Sequence, residues 1–445
     1  MRLGLNLGYQ TPWSTPADHL ALAQEAERLG LSVVWVAEAY GSDSPSMLAW
    51  IAGQTSRIDV GSAVMQIPAR TPAATAMTAA TIDTLSGGRF RLGLGVSGPQ
   101  VSEGWHGVRF DKPLARTREY VRIVRRALAR EVVTNDGEFY PLPLPDGPGK
   151  ALKLGFHPLR AEIPIYLAAV GPRNLELAGE IADGWLAVFF SPQHAGEQLA
   201  RVAAGRARVG KELAGFDVVP TVPVVVGDDV AECAELVRWY AALYLGGMGS
   251  REQNFYNQLA VRMGFGDAAR QVQDLYLAKR HQEAAAAVPL EFLDATSLLG
   301  PVDRIAARMR DYAAAGVTTL SLAVFGLDRD TSLAQLRAAV QAYERAGLSP
   351  DRIGPASAAG PTPASPDRPG PESGEPGGPA GHRDPLADQV GRASPDHPEP
   401  PDRNQPPDRY LSAGSEGPAG PDGPTDHDGP TDHDGPAGTE QEAAR

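Results

Sequence analysis

Eight short runs of apolar and β-branched residues recur along the first 325 positions, and a stretch of helical periodicity follows each one. The runs cover 2–8, 32–38, 58–65, 90–97, 163–170, 184–190, 218–226 and 318–325. The helical stretches are 16–29, 45–54, 72–85, 115–129, 172–181, 192–209, a long region from 230 to about 287, and 301–315, with a last one at 332–347. Strand, crossover helix, strand is the grammar of a parallel sheet. Val33-Val34-Trp35-Val36 is apolar at every position, as expected of a strand covered on both faces. Eight repeats with a helix after the last predict an α/β chain closed into a (β/α)8 TIM barrel with insertions. An open doubly wound sheet would show the same alternation. The boundaries have local causes. Pro16, Pro72, Pro172, Pro192 and Pro301 stand where a helix begins and a missing N–H costs nothing. Gly30, Gly316 and Gly347 stand where a left-handed cap ends one.

The alternation stops near Pro350. From Asp351 to Arg445 the chain is dominated by Pro, Gly, Ser and Asp, and such a segment buries too little apolar surface to offset the entropy of ordering it. The expected division is a barrel domain at 1–350 and a disordered acidic tail at 351–445. The tail holds 18 Asp and Glu against 7 Arg, a charge of −11 out of −13 for the whole chain. The barrel is therefore almost neutral, and the acidity argues against nucleic acid or an anionic membrane as partner. A tandem Gly-Pro-Thr-Asp-His-Asp, starting at Gly423 and again at Gly429, is rich in metal-ligating types, but a solvated repeat without held geometry explains it better. The single cysteine, Cys233, lies in an apolar helical pattern and reads as buried packing. No leader-like segment precedes the first strand, and no apolar stretch reaches the length of about 20 residues that spans a bilayer. The expected location is cytoplasmic.

Two stretches break the rhythm: a Pro/Gly-rich one at 131–162 and a long one at 246–288 that should contain extra helices. Both are expected beside the C-terminal mouth of the barrel, either covering a ligand or making a contact in a homodimer. The strand ends at that mouth read Asn6-Leu-Gly-Tyr-Gln, Ala37-Glu38-Ala39-Tyr40, Ala63-Val64-Met65-Gln66, Gly95-Val96-Ser97-Gly98, Ala168-Ala169-Val170-Gly171-Pro172 and Val188-Phe189-Phe190-Ser191. They lack a metal-spaced pair of histidines, a G-x-S-x-G elbow or a phosphate loop ending in Gly-Lys-Ser/Thr. Small residues, backbone amides and a few polar tips remain, which suits a planar cofactor that carries the chemistry for a small-molecule substrate. Gly93-Leu-Gly-Val-Ser-Gly has the spacing of the dinucleotide fingerprint, but glycines inside a strand also allow close approach of neighbours, and the segment reads as tight packing. Glu38 has two readings: a buried acid paired with an Arg from a neighbouring loop, or a proton donor or acceptor at the site. Gly171-Pro172 opens a helix whose amides could meet an anion, while Arg173 reads as solvated.

Four segments carry a resemblance: Met65-Gln-Ile-Pro-Ala-Arg-Thr-Pro, Ala79-Ala-Thr-Ile-Asp-Thr-Leu-Ser-Gly-Gly-Arg-Phe, Leu92-Gly-Leu-Gly-Val-Ser-Gly-Pro and Ala178-Gly-Glu-Ile-Ala-Asp-Gly-Trp. With these the chain, from Arg2 to about Leu348, resembles the bacterial luciferase-like oxidoreductases, in the branch that uses the deazaflavin coenzyme F420. The resemblance implies a ring lying across the strand ends, backed by a non-prolyl cis peptide whose matching position is Ala63-Val64. It implies cofactor contacts from Asn6, Glu38, Ala63, Val64, Ser97 and Gly98, and from Ala169, Val170, Gly171 and Pro172 toward the chain and phosphate. The family's sugar-phosphate dehydrogenases carry a His after the acid of the second strand, where Ala39 stands here, and a Glu after the fourth strand, where Ser97-Gly98-Pro99-Gln100 stands. Its methylenetetrahydromethanopterin reductases use an acid on the first strand, in the region of Asn6. A different substrate is implied. The expected reaction is hydride transfer to or from F420, with Glu38, Tyr40 and His106 as candidate catalytic, proton-handling groups. The alternatives are an FMN-dependent monooxygenase of the same barrel family and a deazaflavin-binding protein without catalysis.

Overall fold

The computed structural model describes residues 1–9 and 14–348; the tail expected from 351 and its tandem repeat lie outside the described residues. Its strands are β1 (Arg2–Asn6), β2 (Val33–Val36), β3 (Asp59–Ser62), β4 (Met65–Gln66), β5 (Phe90–Gly95), β6 (Ile165–Ala168), β7 (Gly184–Val188), β8 (Asp217–Val226), β9 (Leu298–Gly300) and β10 (Thr319–Val324). Eight of them pair in parallel in the order β1-β2-β3-β5-β6-β7-β8-β10, and β10 pairs back onto β1. The ring is closed, so the open-sheet alternative falls. Two strands escaped the sequence pattern because they are too short to show a period. β4 carries the third run past Ala63-Val64, and β9 pairs with the far end of the ten-residue β8, Leu298 opposite Val224.

The helices are α1 (Pro16–Arg28), α2 (Ser44–Gly53), α3 (Pro72–Leu85), α4 (Pro99–Gly104), α5 (Pro113–Leu128), α6 (Pro172–Ile181) and α7 (Ala195–Arg208). They continue with α8 (Val230–Ala242), α9 (Phe255–Arg262), α10 (Gly266–Leu277), α11 (His281–Ala286), α12 (Leu290–Thr296), α13 (Val302–Ala314) and α14 (Arg329–Arg345). Prolines open α1, α3 and α6 as expected, and Thr15 and Thr71 cap the first two through their side chains. Gly30, Gly316 and Gly347 all have positive φ. Cys233 is buried in α8 against the inserted helices. Among the described residues no helix is long and apolar enough to cross a membrane.

The barrel interior is layered, and its layers differ in chemistry. At the N-terminal end Arg2, Asp59, Arg91, Tyr166, Asp217 and Thr319 form a neutral polar floor. Asp217 takes Arg2 at 2.7 Å, Arg91 at 3.3 Å, the Tyr166 hydroxyl at 3.0 Å and the Thr319 hydroxyl at 2.8 Å. Arg91 also pairs with Asp59 at 2.6 Å. Burial penalises the Asp217 charge, but Arg2 and Arg91 outweigh it and hold the carboxyl below its ordinary value. Above the floor, Val33, Trp35, Leu186 and Val219 fill the barrel. The wall thins where they point: a Cβ on Gly61 would lie 2.4 Å from the Trp35 ring, and one on Gly93 would lie 2.8 Å from Leu186. Gly93 and Gly95, both in β5, thus serve packing. At the mouth the inward residues become small: Ala63, Gly95, Ala168, Thr221 and Ala323, with Asn6 beside them.

One expectation about the connections is corrected in part. The middle of the 131–162 stretch folds back along α5 as far as its N-cap, where Glu138 pairs with Lys112 at 2.6 Å. The stretch nonetheless leaves the C-terminal end of α5 and enters the start of β6, so both its ends lie at the N-terminal end of the barrel, away from the mouth. There Arg160 binds Asp83, near the end of α3, and donates to the Phe90 carbonyl at 2.6 Å where β5 begins. A connection from a helix to a strand must start on that side in this fold; its composition carried no such information. The 246–288 stretch belongs to the excursion after β8 and does stand at the mouth, with α9 to α12 built from its residues and those just beyond.

Candidate active site

The mouth is assembled from strand ends whose backbone departs from the ordinary. Ala63-Val64 is a cis peptide, and the Val64 side chain occupies the space that a Cβ on Gly95 would need. Ser97, just past β5, and Phe189, just past β7, have φ of 61° and 52°, a left-handed conformation that few non-glycine residues adopt. Such residues tend to gather at functional sites. Asn6 is held from two sides: its amide donates to the Thr221 hydroxyl at 3.1 Å and its oxygen accepts the Gly8 N–H at 2.8 Å.

Above β2 and β4 lies a polar sector centred on Glu38. Its carboxylate accepts from the Gln66 backbone N–H at 3.0 Å, from the Ser44 N–H and hydroxyl at 3.2 Å each, and from both terminal nitrogens of Arg70. Arg70 also pairs with Asp43. Burial opposes the Arg70 charge, yet Glu38 and then Asp43 raise its pKa. Of the two readings of Glu38, the Arg-paired acid describes the geometry: every oxygen already has donors. His106, on the loop after α4, reaches this sector through Gln66, with its Nε2 3.1 Å from the Gln66 Oε1. Tyr40 is 55% exposed and lies near enough to Tyr9 and Tyr276 to act on both electrostatically.

Across the mouth, above β7, β8, β10 and β1, the sector is aromatic. Tyr244 lies between Tyr240 and Tyr256, with ring centroids 4.7 and 4.8 Å away, and Phe189 packs edge-on at 5.5 Å. Tyr9 brings its hydroxyl to 3.2 Å from that of Tyr244. Burial raises the pKa of Tyr9 and Tyr244, so both phenols stay protonated, hydrogen-bonding groups at neutral pH.

A third feature lies above β6 and β7. α6 starts at Pro172 with Gly171 as its N-cap and no side-chain cap, and a Cβ on Gly171 would meet nothing within 4 Å. That end of the helix faces a cavity of about 200 Å³ lined by Val170, Pro172, Ser191, His194, Arg201 and Arg262 among others. Arg262 comes from α9 and donates to the Val170 carbonyl at 3.2 Å. Of the two arginines in the lining, Arg201 pairs with Glu176 at 3.1 Å, and Arg262 stands near the lining acid Glu197. A helix N-terminus with added guanidinium charge is suited to an anionic group.

The structure thus brings Asn6, Glu38, Ala63, Val64, Ser97, Gly98 and His106 to one mouth, and Val170 and Pro172 to the anion-suited cavity, with Gly171 between them in the chain. Ala169 is turned into the core, where its carbonyl accepts the Trp185 indole at 2.9 Å. Arg173 is exposed, as expected. Sequence reasoning assigned no role to Gln66, Arg70, Tyr244 or Arg262. Arg70 was within reach, since an Arg partner for Glu38 was expected and Arg70 lies in the Met65–Pro72 segment. Arg262 and Tyr244 come from the long excursion after β8, whose path no local pattern reveals.

Comparison with known proteins gives the geometry a context. A family model described as luciferase-like monooxygenase matches residues 2–319. A protein of Mycobacterium tuberculosis named for coenzyme F420-dependent oxidoreductase activity is 46% identical over 345 residues, 76% of this chain and 99% of that one. The 5,10-methylenetetrahydromethanopterin reductase of Archaeoglobus fulgidus is 31% identical over 297 residues, 66% of this chain and 85% of that one. The solved structure of the coenzyme F420-dependent tetrahydromethanopterin reductase from Methanopyrus kandleri superposes with a TM-score of 0.64 at 23% identity, covering 76% of this chain and 96% of that one. At that identity the likeness is one of fold.

Proposed function

From the premise that the chain belongs to the luciferase-like monooxygenase family, and within it to the F420-dependent oxidoreductases, we propose that it transfers a hydride between coenzyme F420 and an uncharged organic substrate. The observation that carries this reading is the 46% identity to the mycobacterial relative across 99% of its length. The residues present fit the cofactor. Small side chains at Ala63, Gly95, Ala168 and Ala323 leave room for a planar ring across the strand ends, and the cavity at Pro172 and Arg262 suits a phosphate. When bound, the deazaflavin supplies hydride chemistry at its C5 position.

The protein's part is to position and to move a proton. Asn6 and Thr221 shape the bottom of the mouth, and the Ala63-Val64 peptide backs it. The tyrosine wall offers the substrate an apolar face with phenolic donors, which favours a neutral carbonyl compound or alcohol over a sugar phosphate. Ala39 agrees, because it presents no imidazole to a sugar hydroxyl. His106 is the proton-handling group in this reading, and Glu38 braces the sector through Arg70 and Gln66.

Fluorescence titration of the purified protein with F420 and with FMN tests the proposal. Saturable F420 binding that Arg262→Ala weakens at least several-fold is the expected result. Tight FMN binding without F420 binding would sink it. A screen of neutral ketones, enones and alcohols with F420 in the matching redox state then addresses the substrate.

A further inference from the structure

Gln66 is almost wholly buried, at 3% exposure, and every polar atom of its side chain has a partner. Its amide nitrogen donates to two main-chain carbonyls, Glu38 at 2.9 Å and Ala39 at 2.8 Å. A carboxamide has one donor end and one acceptor end, and turning it over would set its oxygen against both of those carbonyl oxygens. The donor end is therefore committed to β2, and Oε1 faces the loop after α4. There it lies 3.1 Å from the Nε2 of His106. An amide oxygen only accepts, so Nε2 must carry the hydrogen. In a neutral imidazole the lone pair is then on Nδ1.

The brace behind Gln66 is continuous. Its own backbone N–H donates to Glu38 Oε1 at 3.0 Å, and Glu38 is gripped by Arg70 and by Ser44. Rotating the carboxamide would break two hydrogen bonds in a buried place and leave the polar groups there unpaired. We propose that Gln66 is a positioning residue that holds His106 as its Nε2–H tautomer, so that Nδ1 is the atom that exchanges a proton with the substrate. The inference rests on the reading of His106 as the proton-handling group in F420-dependent hydride transfer. In the oxidising direction the substrate's C–H bond breaks with its electron pair passing to the oxidised deazaflavin, and the O–H proton passes to Nδ1. The alcohol becomes a carbonyl, the cofactor is reduced, and reduction runs the same path backwards.

The test reads the tautomer directly and needs no cofactor. Protein labelled with 15N-histidine is recorded by long-range proton–nitrogen correlation at pH about 8.5, above the ordinary histidine range, and His106→Gln identifies the His106 signals. The expected spectrum shows Nε2 protonated and Nδ1 as the lone-pair nitrogen. Gln66→Met, which removes the acceptor and keeps the bulk, should yield a mixture of tautomers and lower kcat about 10-fold or more, with the F420 dissociation constant unchanged. A wild-type spectrum with Nδ1 protonated, or one left unchanged by Gln66→Met, overturns the assignment. A shifted tautomer with unaltered kcat overturns the role of Nδ1. Failure of F420 to bind is a separate outcome: it removes the redox reading while the tautomer stands or falls on the spectrum.

Discussion

Trp35 on β2 and Glu38 two positions past its end show how differently two residues can depend on their surroundings. Glu38 ends with five donors around its carboxylate, and its neighbours Arg70 and Gln66 come from the segment 28 to 32 residues later. Its position at a strand end was visible in the sequence; its partners were not, because hydrogen bonding between loops is set by where the loops fold. Trp35 is fully buried inside the barrel and depends on a missing side chain across the wall, since the Gly61 Cβ would fall 2.4 Å from its ring. Gly61→Ala is therefore expected to destabilise the barrel by about 1–3 kcal/mol through overpacking. Urea denaturation measures it, and Gly61→Ala combined with Trp35→Leu should recover part of the loss. Equal midpoints for wild type and Gly61→Ala would contradict the packing argument.

Among the elements, the strands contribute in layers, and the layer at the start of β1, β3, β5, β6, β8 and β10 is the ionic one. Asp217 joins Arg2 and Arg91 in a buried place, where breaking a pair by removing one partner is strongly destabilising, about 3–5 kcal/mol. Its folded pKa lies below the ordinary value of 3.8, so the folded state binds fewer protons than the unfolded one. The stability it contributes is fully present above that value and is lost as pH falls through the folded pKa. Urea midpoints followed from pH about 6 down to pH about 3 should drop more steeply for wild type than for Asp217→Asn, which begins less stable. Parallel slopes would show that other carboxylates dominate acid unfolding. The strands carrying this floor were legible, because period and length mark them; the floor was not, because charged residues at strand starts look the same whether they meet inside a barrel or face solvent.

For the whole molecule, the eight-fold repeat was enough to predict a barrel, and the β10–β1 and β10–β8 pairings complete it. We propose that residues 351–445 form a separate acidic segment that the barrel does not need. A chain ending at residue 350 should keep its melting temperature within about 2 °C and its F420 affinity within about 2-fold; aggregation or lost binding would show that the segment supports the barrel. The chain's own pattern settled what depends on period and composition: strand and helix order, the nearly neutral charge of the first 350 residues, and the family motifs that point to a deazaflavin. Contacts between residues far apart in sequence were settled by folding alone. Closure of the ring brought Asp217 to Arg2, and the excursion after β8 carried Tyr244 to Tyr9 and Arg262 to the start of α6. It also placed the two ends of the 131–162 stretch at the opposite end from the mouth. Local patterns encode which way a residue faces on its own element; what it meets there depends on how the loops close in space, and the pairing of Gln66 with His106 is of that second kind.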